Sequence, residues 1–305
     1  MIGAMFSQPK KFICISLTLL SALGLSACAS FFGNQPTLTP TASQTFTPEP
    51  PTATPVPMAL TVNGEGIPVV DFDAELQRYL AVQETLGKTV TAADATSAVI
   101  EDIIAQLLLA QAARANGFTL DESALQSRID SLAAQTGGID ALSKWQSDYG
   151  YTEQAFRSAL KRAAEAAWMR DKIISDVPST AEQVHVQQIL LYNEGTAQSF
   201  LIQLNGGADF DELALEADPI TRGDLGWVPR GYLLDTKFEE IAFSLAVGEH
   251  SDVIATDAGF HILRILERDP GRPLSPDATL VLQELALKKW IEEQRQQADV
   301  VLAPQ

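Results

Sequence analysis

Arg222-Gly223-Asp224-Leu225-Gly226-Trp227-Val228-Pro229 opens the stretch that decides the fold, and Gly259-Phe260-His261-Ile262-Leu263-Arg264-Ile265 closes it. Between them stand Phe238-Glu239-Glu240-Ile241-Ala242-Phe243 and Gly248-Glu249-His250-Ser251-Asp252-Val253-Ile254-Ala255-Thr256. The order reads as a short strand, a helix with an apolar face, a glycine turn and a hairpin that carries a histidine. Such elements build a small apolar cleft with one polar ring, His261, at its floor.

Working outward, Val184-His185-Val186-Gln187-Gln188-Ile189-Leu190-Leu191 reads as a strand that presents Val186, Gln188 and Leu190 on one face. His185 falls on the other face. A helix is expected near 196–204, stopped by Asn205-Gly206-Gly207, and a shorter one over Asp209-Phe210-Asp211-Glu212-Leu213-Ala214. Residues 182–268 therefore form a β-α-α-β-α-β-β unit, in which Asp224 ties the turn together and Trp227 is structural.

Helices surround this unit. Leu60 to Pro68 reads as a short strand, a turn and an extended exit, and Phe72, Leu76, Tyr79 and Leu80 follow at helical spacing. A helix over about 92–115 carries two apolar stripes, Val99/Ile103/Leu107 and Ile100/Ile104/Leu108, and is expected to be the most buried, with Asn116-Gly117 as its stop. Thr119-Leu120-Asp121-Glu122 has capping-box spacing and starts a third helix to about Gln135. A fourth runs over 139–149, and a long fifth over 152–175 shows Phe156, Leu160, Ala164 and Trp168 on one side. After Ser275-Pro276-Asp277, a cap followed by proline at the first helical position, comes a C-terminal helix with Leu280, Leu282, Leu285, Leu287, Trp290 and Ile291. It is too apolar to stand alone. Packing it back onto the earlier helices makes the central unit an insertion; capping the central unit is the alternative. The fold class is α+β.

The chain has 305 residues, enough for two domains at roughly 150 residues each. A net charge of −18 disfavours nucleic acid and anionic membrane surfaces as partners. Both cysteines, Cys14 and Cys28, lie near the N-terminus, so the body holds neither disulfides nor thiolate metal sites. The three histidines, His185, His250 and His261, have no i, i+4 pair of the kind a zinc hydrolase uses.

Lys10-Lys11 precede an apolar run from Phe12 to Leu25, too short for a comfortable membrane span. Small residues follow, so 1–27 reads as a secretory signal. Leu25-Ser26-Ala27-Cys28 resembles the bacterial lipobox, which implies acylation of Cys28 and a lipid anchor on the extracytoplasmic face of the membrane. Residues 28–58, rich in threonine and proline, have too little to bury to offset their ordering entropy and read as a tether.

Gly206-Gly207-Ala208-Asp209-Phe210, Leu213-Ala214, Gly223-Asp224-Leu225-Gly226-Trp227, Phe238, Gly248-Glu249 and Gly259-Phe260-His261-Ile262 stand in the register of the parvulin family of peptidyl-prolyl cis–trans isomerases, which residues 182–268 resemble. The flanking helices, 59–178 with 272–302, are similar to the helical chaperone domain of the PrsA and SurA foldases. The resemblance implies an extracytoplasmic foldase acting on X–Pro bonds of unfolded or partly folded secreted proteins. Rotation about that bond breaks nothing, so no nucleophile, metal or cofactor is implied; a proline pocket and polar groups favouring the twisted amide suffice.

By matched position, Leu234, Phe238 and Thr256 would bind the substrate, and His261, Gln188 and Asp218 would carry the catalytic roles. Gln188 departs from the family's first-strand histidine. The Asp218–Gly223 loop is shorter than the family's, and Tyr192-Asn193-Glu194 replace the basic residues that confer phosphate preference. A non-catalytic peptide-binding chaperone with a degenerate parvulin site is the alternative function. The sequence leaves open whether copies pair as a homodimer through the helical domain.

Overall fold

Asn63 and Gly64 adopt positive φ angles of 52° and 82° and turn β1 (Met58–Val62) back onto β2 (Glu65–Pro68). Two consecutive left-handed residues give the hairpin turn whose twist matches that of its strands. In the computed structural model, residues 56–233 and 235–303 are described. The signal, Cys28, nearly all of the tether and Leu234 lie outside them.

The helical body follows as α1 (Val69–Thr85), α2 (Ala92–Ala115), α3 (Glu122–Thr136), α4 (Ile139–Asp148) and α5 (Glu153–Ser175). Thr91 and Thr152 cap α2 and α5 by accepting from Asp94 N and Ala155 N. The cap of α3 differs from the sequence expectation. Asp121, not Thr119, accepts from Ala124 N at 2.8 Å, so the helix starts two residues later. A carboxylate directly before the first turn also complements the helix dipole, an advantage the Thr119 hydroxyl lacks.

Both stripes of α2 are buried or half-buried. Val99, Ile103, Leu107, Ile104 and Leu108 pack on Leu60, Val62 and Ile67 of the hairpin. Leu109 and Ala113 pack on Ala166, Met169 and Ile173 of α5. Each fully buried leucine or isoleucine there contributes roughly 1.5–3 kcal/mol relative to exposure. The other side of α5, with Phe156, Leu160 and Ala164, covers Leu125, Ile129, Ala133 and Leu142 of α3 and α4.

The central unit is β3 (Thr180–Leu191), α6 (Glu194–Asn205), α7 (Phe210–Ala217), β4 (Asp224–Pro229), α8 (Thr236–Ser244), β5 (Ile254–Thr256) and β6 (Gly259–Pro273). Its four strands are antiparallel in the order β4-β3-β6-β5. Ile189 and Ile262 face α6 and α7, whereas Val184, Val186, Leu263 and Ile265 face α8. This alternation assigns the sheet one structural face and one that borders the cleft.

From β6 the chain enters α9 (Pro276–Gln297), capped by Ser275 accepting from Ala278 N. Ala286, Leu287, Trp290 and Ile291 of α9 pack against the α2–α5 core, so the helix returns to the helical body. A strand that periodicity did not reveal, β7 (Val300–Leu302), then pairs antiparallel with β1, completing a β2-β1-β7 sheet. Asn63 and Asp299 brace this closure through Asn63 N–H to Asp299 O and Asp299 N–H to Asn63 Oδ1. No helix among the described residues is long and apolar enough to cross a membrane.

Candidate active site

His261 sits near the start of β6, directly opposite Leu190 of β3 on one side and Ile254 of β5 on the other. Gln188 pairs with Leu263 and Thr256 with Gly259, so each is a diagonal neighbour of His261 on its own side. Diagonal residues share a face and lie within side-chain reach. His261 Nδ1 is 2.8 Å from Gln188 Oε1, and Nε2 is 2.8 Å from Thr256 Oγ1.

With the amide oxygen of Gln188 turned to the ring, Nδ1–H donates to it and Nε2 accepts from the threonine hydroxyl. Thr256 Oγ1 in turn accepts from Ala258 N–H at 3.1 Å. The chain of donors suits a neutral imidazole. Consistent with this, burial holds His261 below its ordinary 6.5, while the Asp235 carboxylate opposes the shift.

The ring of Phe238 stands edge-to-face with this imidazole, 5.2 Å between centroids and at 89°. Phe238 belongs to the core beneath α8, together with Val228, Ala242, Phe243 and Ile254, and is 7% exposed. Asp235 caps α8 by accepting from Phe238 N at 2.8 Å. One residue thus sets the helix start and supplies negative charge near His261. An aspartate just before an apolar helical run is an N-cap signal, and that signal marks Asp235 in the sequence.

Asp218 ends α7, and its carboxylate faces its own loop. It accepts from Ile220 N (3.0 Å), Thr221 N (3.2 Å), Gly223 N (3.3 Å) and the Thr221 hydroxyl. These donors hold its pKa at about 2. Among the described residues no hydrogen bond joins it to His261, Gln188 or Thr256, so its observed contacts organise the loop.

That loop fixes Gln188. Gly223 has φ +67°, and a side chain there would collide with the Gln188 carbonyl. Gln188 N–H donates to Gly223 O at 2.8 Å. The glycine of Gly223-Asp224 is therefore a close-approach residue beside the site. On the other sheet face, Gln187 accepts from Arg264 (2.6 Å) and donates to Asp211 (3.1 Å) and to Arg222 O (2.9 Å), tying α7 and the loop to the strands. Nothing in the spacing of Gln187 and Arg264 marks that network.

His185 lies apart from the site. It stacks on Trp227 at 5.4 Å and bonds Asp224 Oδ1 at 2.8 Å. Asp224 also accepts from Gly226 N at 2.8 Å, holding the turn. Arrayed together, Phe238, His261, Gln188 and Thr256 offer an apolar ring beside a polar chain, able to seat a ring and hydrogen-bond an amide.

Two family models match the chain. One, described as a SurA-like N-terminal domain, matches residues 8–168, more than half of it. The other, described as a PPIC-type PPIase domain, matches residues 172–269. The chain is 32% identical over 121 residues to a "Foldase protein PrsA" of Geobacillus sp. (strain WCH70), covering 38% of this chain and 44% of that protein. It is 34% identical over 132 residues to a "Parvulin-like PPIase" of Rickettsia bellii (strain RML369-C), covering 39% and 46%. The chain thus spans less than half the length of either relative. The crystal structure of Peptidylprolyl Isomerase (PrsA) from Bacillus anthracis aligns with TM-score 0.40 and 21% identity over 65% of this chain and 96% of that one.

Proposed function

We propose, for a chain that belongs to the family of the SurA-like N-terminal domain and carries a PPIC-type PPIase domain, that it is a foldase whose central unit isomerises X–Pro bonds in unfolded polypeptides while the helical body holds the client. The observation that carries this reading is the edge-to-face pair of Phe238 and His261 beside Gln188 and Thr256. A proline ring stacks in the apolar half, and the hydrogen-bonded half favours the twisted amide over the planar one. The barrier to be lowered is about 18–20 kcal/mol, so the uncatalysed step is slow enough to limit folding. By matched position Leu234, outside the described residues, is assigned to substrate binding with Phe238, and Asp218 supports the site through its loop. No phosphate preference is assigned, since Tyr192-Asn193-Glu194 follow β3.

A protease-coupled assay on a short X–Pro peptide tests the reading. Wild type accelerates isomerisation, Phe238→Ala removes most of the rate, and His261→Ala removes less. No rate above background in the wild type would leave the second reading, a non-catalytic holding chaperone. Gln188 favours that second reading, because it supplies an amide where the family has a titratable ring.

The reading extends to an acyl anchor at Cys28 on the extracytoplasmic face, supported by the order of charge, apolar run, small residues and cysteine. Cys28→Ser should move the protein from the membrane pellet to the soluble fraction; retention in the pellet rules the anchor out.

A further inference from the structure

Between α1, α2 and α5, away from the candidate active site, a cleft is lined by Arg78, Arg162, Tyr151, Ser158, Asp71 and Glu75 among others. Two guanidinium groups face it in a protein of net charge −18. Arg78 lies over the Tyr151 ring at 3.9 Å, donates to Tyr149 O at 2.9 Å and is paired with Glu75, yet its Nε is buried with no partner. Arg162 is less committed. Of its five donors only Nε is engaged, at a long 3.4 Å from Gln106 Oε1, and among the described residues it forms no ion pair.

In this cleft the buried donor without an acceptor is Arg78 Nε, and such donors are uncommon and call for an explanation. Burial lowers the pKa of Arg162, while the charges of Glu75, Glu65 and Asp71 oppose the shift. Gln106, its one partner, donates to Asp102 at 2.7 Å, so that carboxylate is already engaged. The hydroxyls of Tyr151 and Ser158 add two more potential donors to the same wall. The cleft therefore offers several donors, with Glu75 held by Arg78, and Asp71 and Glu65 as the opposing charges near Arg162.

Its size limits the occupant. The space open to a water-sized group is about 30 Å³. Pockets for whole small molecules measure about 300–1,000 Å³, so this one suits the tip of a single group. An acceptor-only tip matches an array of donors, and guanidinium groups match carboxylate geometry best.

We propose that this cleft is a subsite for one carboxylate of a bound polypeptide, either an Asp or Glu side chain or the chain terminus, anchored by Arg162. The proposal rests on the reading of the helical body as the client-holding part. Client binding would then combine sequence-tolerant apolar contact with one polar anchor that fixes the register of the segment.

The test uses the whole mature chain and three rhodamine-labelled peptides of one extended sequence. The first carries a central Glu and a C-terminal amide, the second Gln with an amide, and the third Gln with a free carboxylate. Fluorescence anisotropy should show the Glu peptide binding about tenfold tighter than the Gln amide, the scale of a charge-assisted hydrogen bond. If the terminus is the natural ligand, the third peptide gains instead. Arg162→Gln should erase the gain and leave binding of the Gln amide unchanged, and Asp71→Asn should enlarge it. Equal affinity for all three peptides, or a gain that survives Arg162→Gln, overturns the proposal. Equal binding leaves the client-holding reading standing; no binding of any peptide overturns both.

Discussion

His261 is gripped from both neighbouring strands, its Nδ1 by Gln188 of β3 and its Nε2 by Thr256 of β5, each at 2.8 Å. Neither nitrogen is left to solvent, and the ring cannot rotate without breaking both bonds. This makes the imidazole an oriented, neutral group. On the proposed function, its part is to hold the polar side of the site in place.

That arrangement has a pH signature. Burial holds His261 below 6.5, so the folded state resists a proton that the unfolded chain accepts. The associated stability is present above pH 6.5 and is lost as pH falls through the lower folded value. Urea midpoints of wild type and His261→Gln should differ by a constant amount above pH 7 and converge toward pH 5. A pH-independent difference would contradict the neutral assignment.

Phe238→Ala empties a position that is 7% exposed in the core of the central unit. Truncation of a buried phenylalanine costs about 3–5 kcal/mol, and the residual exposure places this site near the lower end. Phe238→Leu keeps most of the volume and should cost less than about 1.5 kcal/mol. On the proposed function Leu retains partial isomerase activity where Ala retains little. Chemical denaturation and the coupled assay, run on both variants, separate lost folding from a lost pocket.

Gly223→Ala combines two penalties. The φ of +67° disfavours any L side chain by about 1–2 kcal/mol, and the new Cβ meets the Gln188 carbonyl. A loss of more than about 2 kcal/mol is expected, with the amide resonances of β3 around Gln188 displaced. Unchanged stability would mean that the loop is free to move away from β3.

Gln188 can be probed in two directions. Gln188→Leu leaves the Nδ1–H of His261 without its acceptor and should cost about 1 kcal/mol, since the position is only half-buried. Gln188→His places a second titratable ring beside His261. If the site turns over X–Pro bonds, kcat/KM in that variant acquires an additional pH dependence, from the second imidazole, beyond that of the wild type.

In the helical body, Glu165 of α5 is 2% exposed and pairs with Arg114 of α2, which also grips Glu65 of the hairpin. Breaking a fully buried ion pair costs about 3–5 kcal/mol, but Arg114 is 38% exposed and keeps Glu65, so Glu165→Ala should cost about 2 kcal/mol. Thermal unfolding of the variant, compared with Glu65→Ala, checks the ranking: the Glu65 change should cost less, because both of its partners' ends reach solvent.

Much of this was legible in the chain because the signals are local. The stripes of α2, the Ser275-Pro276 start of α9 and the order of elements from β3 to β6 follow from spacing and from turn or cap residues within a few positions of one another. Apolar content was also enough to show that α9 needed a partner. The Thr119 cap failed for an equally local reason: two cap-competent residues stand two positions apart, and the charged one won at the helix N-terminus.

What the sequence determined by itself, then, is the set of elements and the residues able to line a cleft. Periodicity and capping depend only on neighbours along the chain. The tertiary structure decided which of those residues meet. β7 found its partner in β1 from the opposite end of the described sequence, through only three residues, too few for a periodic signal. The strand register of β3, β6 and β5 brought Gln188 and Thr256 to the two nitrogens of His261, and the placing of α5 beside α1 and α2 left Arg162 lining a cleft with no ion pair of its own among the described residues. Such contacts depend on register and on which surfaces are juxtaposed, and those are set only when the whole core closes.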